Sequence, residues 1–253
     1  MKESGERVKI LVTNDDGILS EGIKELADTL RSLGDVWVVA PDRERNAISH
    51  ALTLHRPLRI LNPSHQNYAV NGTPADCVNV GVHCILKEKP DLVVSGINKG
   101  ENLGGDINYS GTVAAAVEGA LMGVQSFAIS LSSTRNFNFK PAAAFALRLA
   151  RFITKSGLPD GTVLNVNIPD TGGEPINVYK ITKPGKDRHH NTIEEKVDPR
   201  GMRYFWIGRK DECYEDDDVS DRKAISQNIV SITPLQTDRT HGTSFEELLQ
   251  WDL

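Results

Sequence analysis

The chain contains few cysteines, no long apolar run and no excess of positive charge. Cys77, Cys84 and Cys213 are the only cysteines among 253 residues, and no two of them form a CxxC pair. This odd, unpaired set gives neither a disulfide framework nor a zinc motif. We therefore predict a protein of the reducing cytoplasm.

Several partners and cofactors are disfavoured by what the sequence lacks. No stretch approaches the ~20 apolar residues of a membrane span, and residues 1–7 lack the apolar core of a secretory signal. The net charge of −5 argues against stable binding to nucleic acid or to an anionic membrane. Neither a GxxxxGK(S/T) loop nor a GxGxxG turn after a strand is present, which disfavours ATP and NAD chemistry.

The sequence does contain a regular alternation of apolar strands and amphipathic helices. Strands are predicted at residues 9–13, 36–40, 91–95, 127–130 and 163–168, and helices at residues 20–33, 74–86, 112–122 and 141–155. This order predicts an α/β fold with a doubly wound, mostly parallel, Rossmann-like sheet.

The pattern changes after Pro169. Residues 176–181, 202–207 and 229–233 read as strands without crossover helices, residues 199–201 form a hairpin turn, and residues 244–253 form a short terminal helix. The acidic segment 211–218 is interpreted as a solvated loop. We predict a catalytic core over residues 1–169. Residues 170–253 are predicted to be a β-rich arm that completes the same domain and mediates self-association.

The first predicted strand runs directly into Asn14, Asp15, Asp16 and Gly17. Adjacent carboxylates raise each other's pKa unless a positive charge lies between them. A solvated turn is one explanation, because Asn, Asp and Gly are common turn residues. A bound cation is the other.

Two more polar segments, residues 42–46 and 96–98, follow the predicted strands at 36–40 and 91–95. Ligands of an open α/β sheet bind at the carboxyl ends of its parallel strands, where all three segments meet. Oxygen donors from three such segments favour Mg²⁺ or Mn²⁺. The sequence therefore predicts a divalent cation site at this edge.

Ser110, Gly111 and Thr112 open a helix of small residues. Free N–H groups and a hydroxyl at a helix start bind phosphate, although an ordinary N-cap explains the same residues. A metal beside such a helix suits phosphate ester hydrolysis by a metal-activated water. His50 and His55 flank residues 52–54 and are within reach of the site, but a loop histidine is usually only hydrogen-bonded.

The motifs ILVTNDDGI, VVAPDRERNAIS, NGTPADCV, DLVVSGINKGENLG, SGTVAAAVEGA and VSITPL occur in this order. In this combination the chain resembles the SurE family of phosphatases, from about Lys9 to Leu235. The resemblance implies a metal-dependent 5′- and 3′-nucleotidase that acts on nucleoside monophosphates and assembles as a homodimer or homotetramer through C-terminal arms.

The resemblance also implies the site residues. The metal ligands, for one cation per subunit, would be Asp15, Asp16, Asn46 and Asn98, where Asn46 replaces a serine found in many members of the family. Ser110, Gly111 and Thr112 match the phosphate-binding segment, with Asn102 beside it, so that the catalytic set would be Asp15, Asp16, Asn102 and Ser110. The preferred nucleotide, the cleavage of polyphosphate and the role of Asp238 stay open.

Three other classes compete with this interpretation. A receiver domain also begins with paired acidic residues, but it needs a phosphate-accepting aspartate where this chain has residues 94–98, which include no carboxylate. A haloacid-dehalogenase-type phosphatase would place its two aspartates two residues apart rather than side by side. A metal- and nucleotide-binding module without catalysis remains the alternative that a turnover assay must separate.

Overall fold

The computed structural model describes residues 7–174, 176–186, 191–209 and 217–252, and in these ranges the chain forms eleven strands and six α-helices. Cys213, residues 1–6 and residues 211–216 of the acidic segment lie outside the described residues.

The first βαβ unit begins the sheet. It consists of β1 (Val8–Thr13), α1 (Glu21–Leu30) and β2 (Gly34–Pro41), and the two strands pair in parallel. The Ser20 side chain caps α1 by accepting a hydrogen bond from the Ile23 N–H, as its residue type favours. The apolar spacing along α1 buries Ile23, Leu26 and Leu30, each stabilising the fold by about 1.5–3 kcal/mol.

The remaining elements extend the sheet on both sides. The other strands are β3 (Ile60–Ser64), β4 (Asn67–Val70), β5 (Leu92–Lys99), β6 (Gln125–Ser132), β7 (Thr162–Pro169), β8 (Tyr179–Ile181), β9 (Asn191–Val197), β10 (Arg203–Arg209) and β11 (Val230–Gln236). The other helices are α2 (Pro74–Val80), α3 (Gly111–Leu121), α4 (Lys140–Ser156), α5 (Asp221–Ser226) and α6 (Gly242–Leu248). A π-helical turn, Gly81–Leu86, continues α2.

Nine strands form one sheet in the order β3-β4-β2-β1-β5-β6-β7-β11-β8. The six strands from β4 to β7 are parallel, whereas β3 and β11 run antiparallel to their neighbours β4 and β7. Helices α1 and α4 pack on one face, and α2 and α3 pack on the other. The prediction of a doubly wound, mostly parallel α/β sheet is confirmed.

The C-terminal region divides into two parts. β8 and β11 join the main sheet, while β9 and β10 form a separate antiparallel hairpin, which confirms the predicted hairpin. The predicted terminal helix is present as α6. The division of the chain at residue 169 into core and arm stays a prediction.

Candidate active site

The turn after β1 is held by Asn14. Its side-chain oxygen accepts a hydrogen bond from the Gly17 N–H at 3.2 Å, and its side-chain nitrogen donates to the Gly17 carbonyl and to the Ser20 hydroxyl. Gly17 has a φ of 93°, a conformation that glycine adopts without strain. The turn fixes Asp15 and Asp16 at the carboxyl end of β1.

Asp15 lies against the start of α3 and is only 4% exposed. Its carboxylate accepts hydrogen bonds from the Thr112 N–H, at 3.1 Å, and from the Thr112 hydroxyl. A Cβ at Gly111 would lie 2.9 Å from the Asp15 Cβ, so this approach requires glycine. Burial raises the pKa of Asp15 to about 6, although the Thr112 hydrogen bond lowers it and the Asp16 charge raises it.

Asp16 is half-buried and accepts a hydrogen bond from the Lys99 N–H at 3.2 Å. Burial raises its pKa, the Lys99 hydrogen bond and charge lower it, and the Glu44 charge raises it. The result is a pair of neighbouring carboxylates whose ionised forms are both disfavoured. An added cation would relieve this cost.

A cavity of about 190 Å³, lined by Asp15 but not by Asp16, opens at this edge of the sheet; we call it the strand-edge cavity. It brings together five of the predicted site residues, namely Asp15, Asn46, Asn98, Asn102 and Ser110. The Asn98 side-chain nitrogen donates to the Gly100 carbonyl at 2.8 Å, and that of Asn46 donates to Glu44. Within the part of the chain that the structure describes, neither amide oxygen accepts a hydrogen bond, so each asparagine retains its oxygen for another ligand.

Asn98 was expected on a loop after the strand at residues 91–95, but it lies within β5, which continues to Lys99. The pairing register of β5 with β6 shifts between Ser95 and Asn98. A register shift changes the direction of the side chains that follow it. Asn98 follows this shift and lines the strand-edge cavity.

Ser110 is the N-cap of α3 and accepts a hydrogen bond from the Val113 N–H at 3.1 Å. It is 7% exposed and lines the strand-edge cavity. Gly111 and Thr112 are buried behind it, and the Thr112 N–H and hydroxyl are both directed to Asp15. Contact between Thr112 and phosphate therefore stays a prediction, while its hold on Asp15 is a feature of the structure.

Ser110 also borders a second cavity of about 400 Å³, the helix cavity, between α3 and residues 234–239. His50 lines this cavity, and its Nε2 lies 2.5 Å from the Glu118 carboxylate, which also accepts from Asn79 at 2.7 Å. The His50 hydrogen bond lowers the pKa of Glu118. Asp238 lines the same cavity from its exposed side, whereas His55 is exposed and lines neither cavity.

Three comparisons place this geometry among known proteins. A family model described as survival protein SurE matches residues 10–191. The 5′-nucleotidase SurE of Geotalea uraniireducens (strain Rf4) is 50% identical over 247 residues, covering 97% of this chain and 100% of that protein. The chain belongs to the SurE family. The crystal structure of the SurE protein from Aquifex aeolicus matches with a TM-score of 0.86 and 40% identity, covering 95% of this chain and 98% of that one.

A second relative has nearly the same extent. The 5′-nucleotidase SurE of Geobacter sulfurreducens (strain ATCC 51573 / DSM 12127 / PCA) is 50% identical over 247 residues, covering 97% of this chain and 94% of that protein. The match of this SurE-family chain to its relatives therefore includes the C-terminal region as well as the parallel sheet.

The loop that carries Asn102 is anchored by two asparagines that the sequence did not single out. The Asn102 N–H donates to the Asn167 side-chain oxygen at 2.8 Å, and the Asn102 carbonyl accepts from the Asn165 and Asn167 side chains. The Asn102 side chain itself donates to the Ser130 hydroxyl. The alternating Asn165 and Asn167 of β7 were visible in the sequence, but they read only as part of a buried strand.

Asp221, the first residue of α5, holds the same loop from the C-terminal region of this SurE-family chain. Its fully buried carboxylate accepts hydrogen bonds from the N–H groups of Gly104 (2.8 Å), Gly185 (2.9 Å) and Arg222 (2.8 Å). Burial raises the pKa of Asp221, and these hydrogen bonds lower it. No sequence pattern had pointed to this residue.

Proposed function

We propose that this SurE-family chain is a divalent-cation-dependent phosphohydrolase that releases phosphate from nucleoside 5′-monophosphates and 3′-monophosphates. The observation that carries the proposal is the convergence of Asp15, Asn46 and Asn98 with Ser110 in one cavity at the carboxyl edge of the sheet. Relatives that align over nearly the whole chain bear the name 5′-nucleotidase SurE, which supports the 5′ activity.

The residues present fit a hard cation. Asp15 and Asp16 supply two carboxylates whose pKa values are raised, and Asn46 and Asn98 supply amide oxygens. Among the described residues no group of three or more His, Cys, Asp or Glu side chains is placed to hold a metal, so this set depends on its two amides. All-oxygen donors suit Mg²⁺ or Mn²⁺. We propose one such cation per subunit.

When bound, the cation would lower the pKa of a water molecule and neutralise charge on the phosphoryl oxygens. The chain's own residues would hold the ester. Ser110 accepts from the Val113 N–H and so keeps its hydroxyl proton for a phosphoryl oxygen. The positive end of α3 favours the same anion, and Asn102 lines the same cavity as Asp15 and Ser110.

We propose that water attacks the phosphorus directly. The residues that line the strand-edge cavity include no cysteine or histidine, and Ser110 caps a helix, a role that does not increase its nucleophilicity. Direct attack inverts the configuration of a chiral phosphorus. Retention of configuration, or a phosphorylated Ser110 trapped during turnover, would contradict this mechanism.

The decisive test measures phosphate release from a panel of 5′- and 3′-nucleoside monophosphates and short polyphosphates. Turnover should disappear after exhaustive chelation and return with Mg²⁺ or Mn²⁺. Full activity after chelation would reject the cation, and nucleotide binding without turnover would favour a non-catalytic module. The location in the cytoplasm stays a prediction; within the described ranges every helix is too short or too polar to cross a bilayer.

We also propose that the β9–β10 hairpin mediates assembly into a homodimer or homotetramer. Directly opposite residues share a face of a strand pair, and one face of this hairpin presents exposed Ile193, Val197, Phe205 and Ile207. Light scattering should show a dimer or larger species at micromolar protein. Phe205→Ser with Ile207→Ser should weaken that association, whereas Tyr204→Ser on the opposite face should leave it intact.

A further inference from the structure

The two cavities that meet at Ser110 differ in size and chemistry. The strand-edge cavity, of about 190 Å³, is smaller than the roughly 300–1,000 Å³ of small-molecule pockets. It suits a phosphoryl group with a cation, and it is too small to enclose a base and a sugar as well. The helix cavity, of about 400 Å³, lies within that size range.

The helix cavity has an apolar wall and a polar wall. Val113 and Val117 stand one turn apart on α3 and line it, and Leu235 of β11 lines it as well. His50, Asn108 and Gln236 supply polar groups. Ser49, Thr237, Asp238 and Arg239 line it too, so the lining is mixed rather than mainly apolar. The apolar side chains fit the face of a flat heterocycle, and the polar ones fit the hydroxyls of a sugar.

His50 is held in place on this wall. Its Nε2 is committed to Glu118, and Glu118 is fixed in turn by Asn79. Among the described residues no hydrogen bond of His50 Nδ1 occurs, so this nitrogen remains for a ligand in the cavity. Neither His50 nor Glu118 lines the strand-edge cavity, so neither is explained by the cation and phosphate.

We propose that the helix cavity binds the nucleoside part of the substrate while Ser110, at the junction, contacts the phosphate. This inference rests on the proposed function. This arrangement places the ester bond where the two cavities join. A small phosphate site can therefore accept an ester whose leaving group is large. If the proposal is correct, Val117 and Gln236 determine the affinity for the nucleoside and do not take part in the cleavage of the ester bond.

The experiment fills the helix cavity and measures nucleotide and phosphate separately. Val117→Phe enlarges a side chain on the α3 wall, and Gln236→Trp does so from an exposed position where core packing is not at risk. Both variants should raise the KM for 5′-AMP about 10-fold or more, the scale of a steric mismatch in a pocket, with kcat nearly unchanged. Inhibition by inorganic phosphate should stay as in the unsubstituted protein.

Val178→Phe is the matched control, because Val178 is exposed and lines neither cavity; its KM should not change. Calorimetric binding of adenosine, which lacks phosphate, should be lost in both cavity variants. The inference is overturned if the Gln236→Trp variant folds and its KM for 5′-AMP is unchanged. It is also overturned if the affinities for inorganic phosphate and for 5′-AMP fall by the same factor. A different result would reject the proposed function, namely the absence of turnover in the unsubstituted protein.

Discussion

Carboxylates on the two sides of Ser110 lie in opposite electrostatic surroundings. On the β1 side, burial raises the pKa values of Asp15 and Asp16. On the side of the helix cavity, the hydrogen bond from His50 lowers the pKa of Glu118, and a second one from Asn79 adds to this. The same chemical group is therefore destabilised as an anion on one side and stabilised as an anion on the other.

This difference in pKa shift indicates that the carboxylates on the two sides have different roles. Glu118 has its partners within the chain, so it can fix a neighbouring side chain with no added ligand. Asp15 and Asp16 are held in place by Thr112 and Lys99 but lack an adequate counter-charge, as expected of groups that receive a cation from solution. Substitutions on the two sides should therefore separate activity from stability.

The largest effect is expected from Asp15→Asn. The substitution removes one anionic ligand, and we predict loss of cation binding and a fall in kcat of more than ~10³-fold, beyond the ~10²–10³ for a single lost donor to developing charge. The buried negative charge is also removed, while the amide oxygen can still accept from the Thr112 N–H and the Thr112 hydroxyl can rotate to accept from the amide nitrogen. The metal-free protein should therefore unfold at an equal or higher temperature. Cation titration and thermal unfolding measure the two effects. A variant that is destabilised and still binds the cation would contradict the proposed difference between the two sides of Ser110.

Ser110→Ala tests the junction itself. The variant loses the proposed donor to phosphate and a helix cap, and kcat should fall about 10²–10³-fold while measurable turnover remains. Stability should fall by about 1 kcal/mol because the Val113 N–H loses its acceptor. Thr73→Ala, which removes the cap of α2 and affects a residue that lines neither cavity, is the matched control: a similar loss of stability with little loss of kcat is expected. Complete loss of turnover in Ser110→Ala would point to a nucleophile.

Asp221→Asn tests whether activity depends on the hydrogen bonds by which Asp221 holds the loop that carries Asn102. An amide would face the Gly104 or Gly185 N–H with a donor, so the loop bearing Asn102 should lose its fixed position. Activity should fall about 10- to 100-fold, as for partners that orient a site from behind. Asp76→Asn in α2, where the two oxygens of a buried carboxylate also accept separate N–H groups from Thr53 and Thr73, should keep most of the activity. Equal loss in both variants would indicate general destabilisation.

The smallest effect on turnover is expected from Glu118→Gln. It should leave kcat within a few-fold and lower the free energy of unfolding at pH 7 by about 1 kcal/mol, because a charged acceptor is lost. The folded-state pKa of Glu118 lies below its ordinary value of 4.5, so its stabilising contribution is present above pH 4.5. It is lost as the pH falls through the lowered pKa.

Urea unfolding at pH 7 and at pH 3 measures this difference, which should shrink at the lower pH. A difference that persists unchanged at low pH would show that the charge of Glu118 is not the cause. A fall in kcat as large as that of Asp15→Asn would remove the distinction between the two sides.

The parallel sheet and the position of most residues of the candidate site at its edge could be predicted from the sequence because their signals are local. The strand at residues 9–13 and the turn residues directly after it place Asp15 and Asp16 at a sheet edge, whatever the rest of the chain does. The N-cap at Ser110 is local in the same sense, since its partner is the Val113 N–H three residues away.

The remaining features depend on contacts between distant segments. Thr112 binds Asp15 across 97 residues, and Asp221 binds Gly104 across 117, so no short pattern could reveal either pair. The entry of β11 and β8 into the main sheet was missed for the same reason. The extension of β5 to Asn98 was missed because Gly96 reads as the end of a strand.

The 117-residue separation between Gly104 and Asp221 also affects the order in which the molecule forms. Contacts of high sequence separation form late, since closing the long intervening loop costs chain entropy before any bond is gained. During synthesis, the ribosome must release almost the whole chain before Asp221 can reach the loop that carries Asn102. We therefore expect nascent chains that end before α5 to form part of the sheet and yet remain inactive, with enzymatic competence appearing at the end of folding.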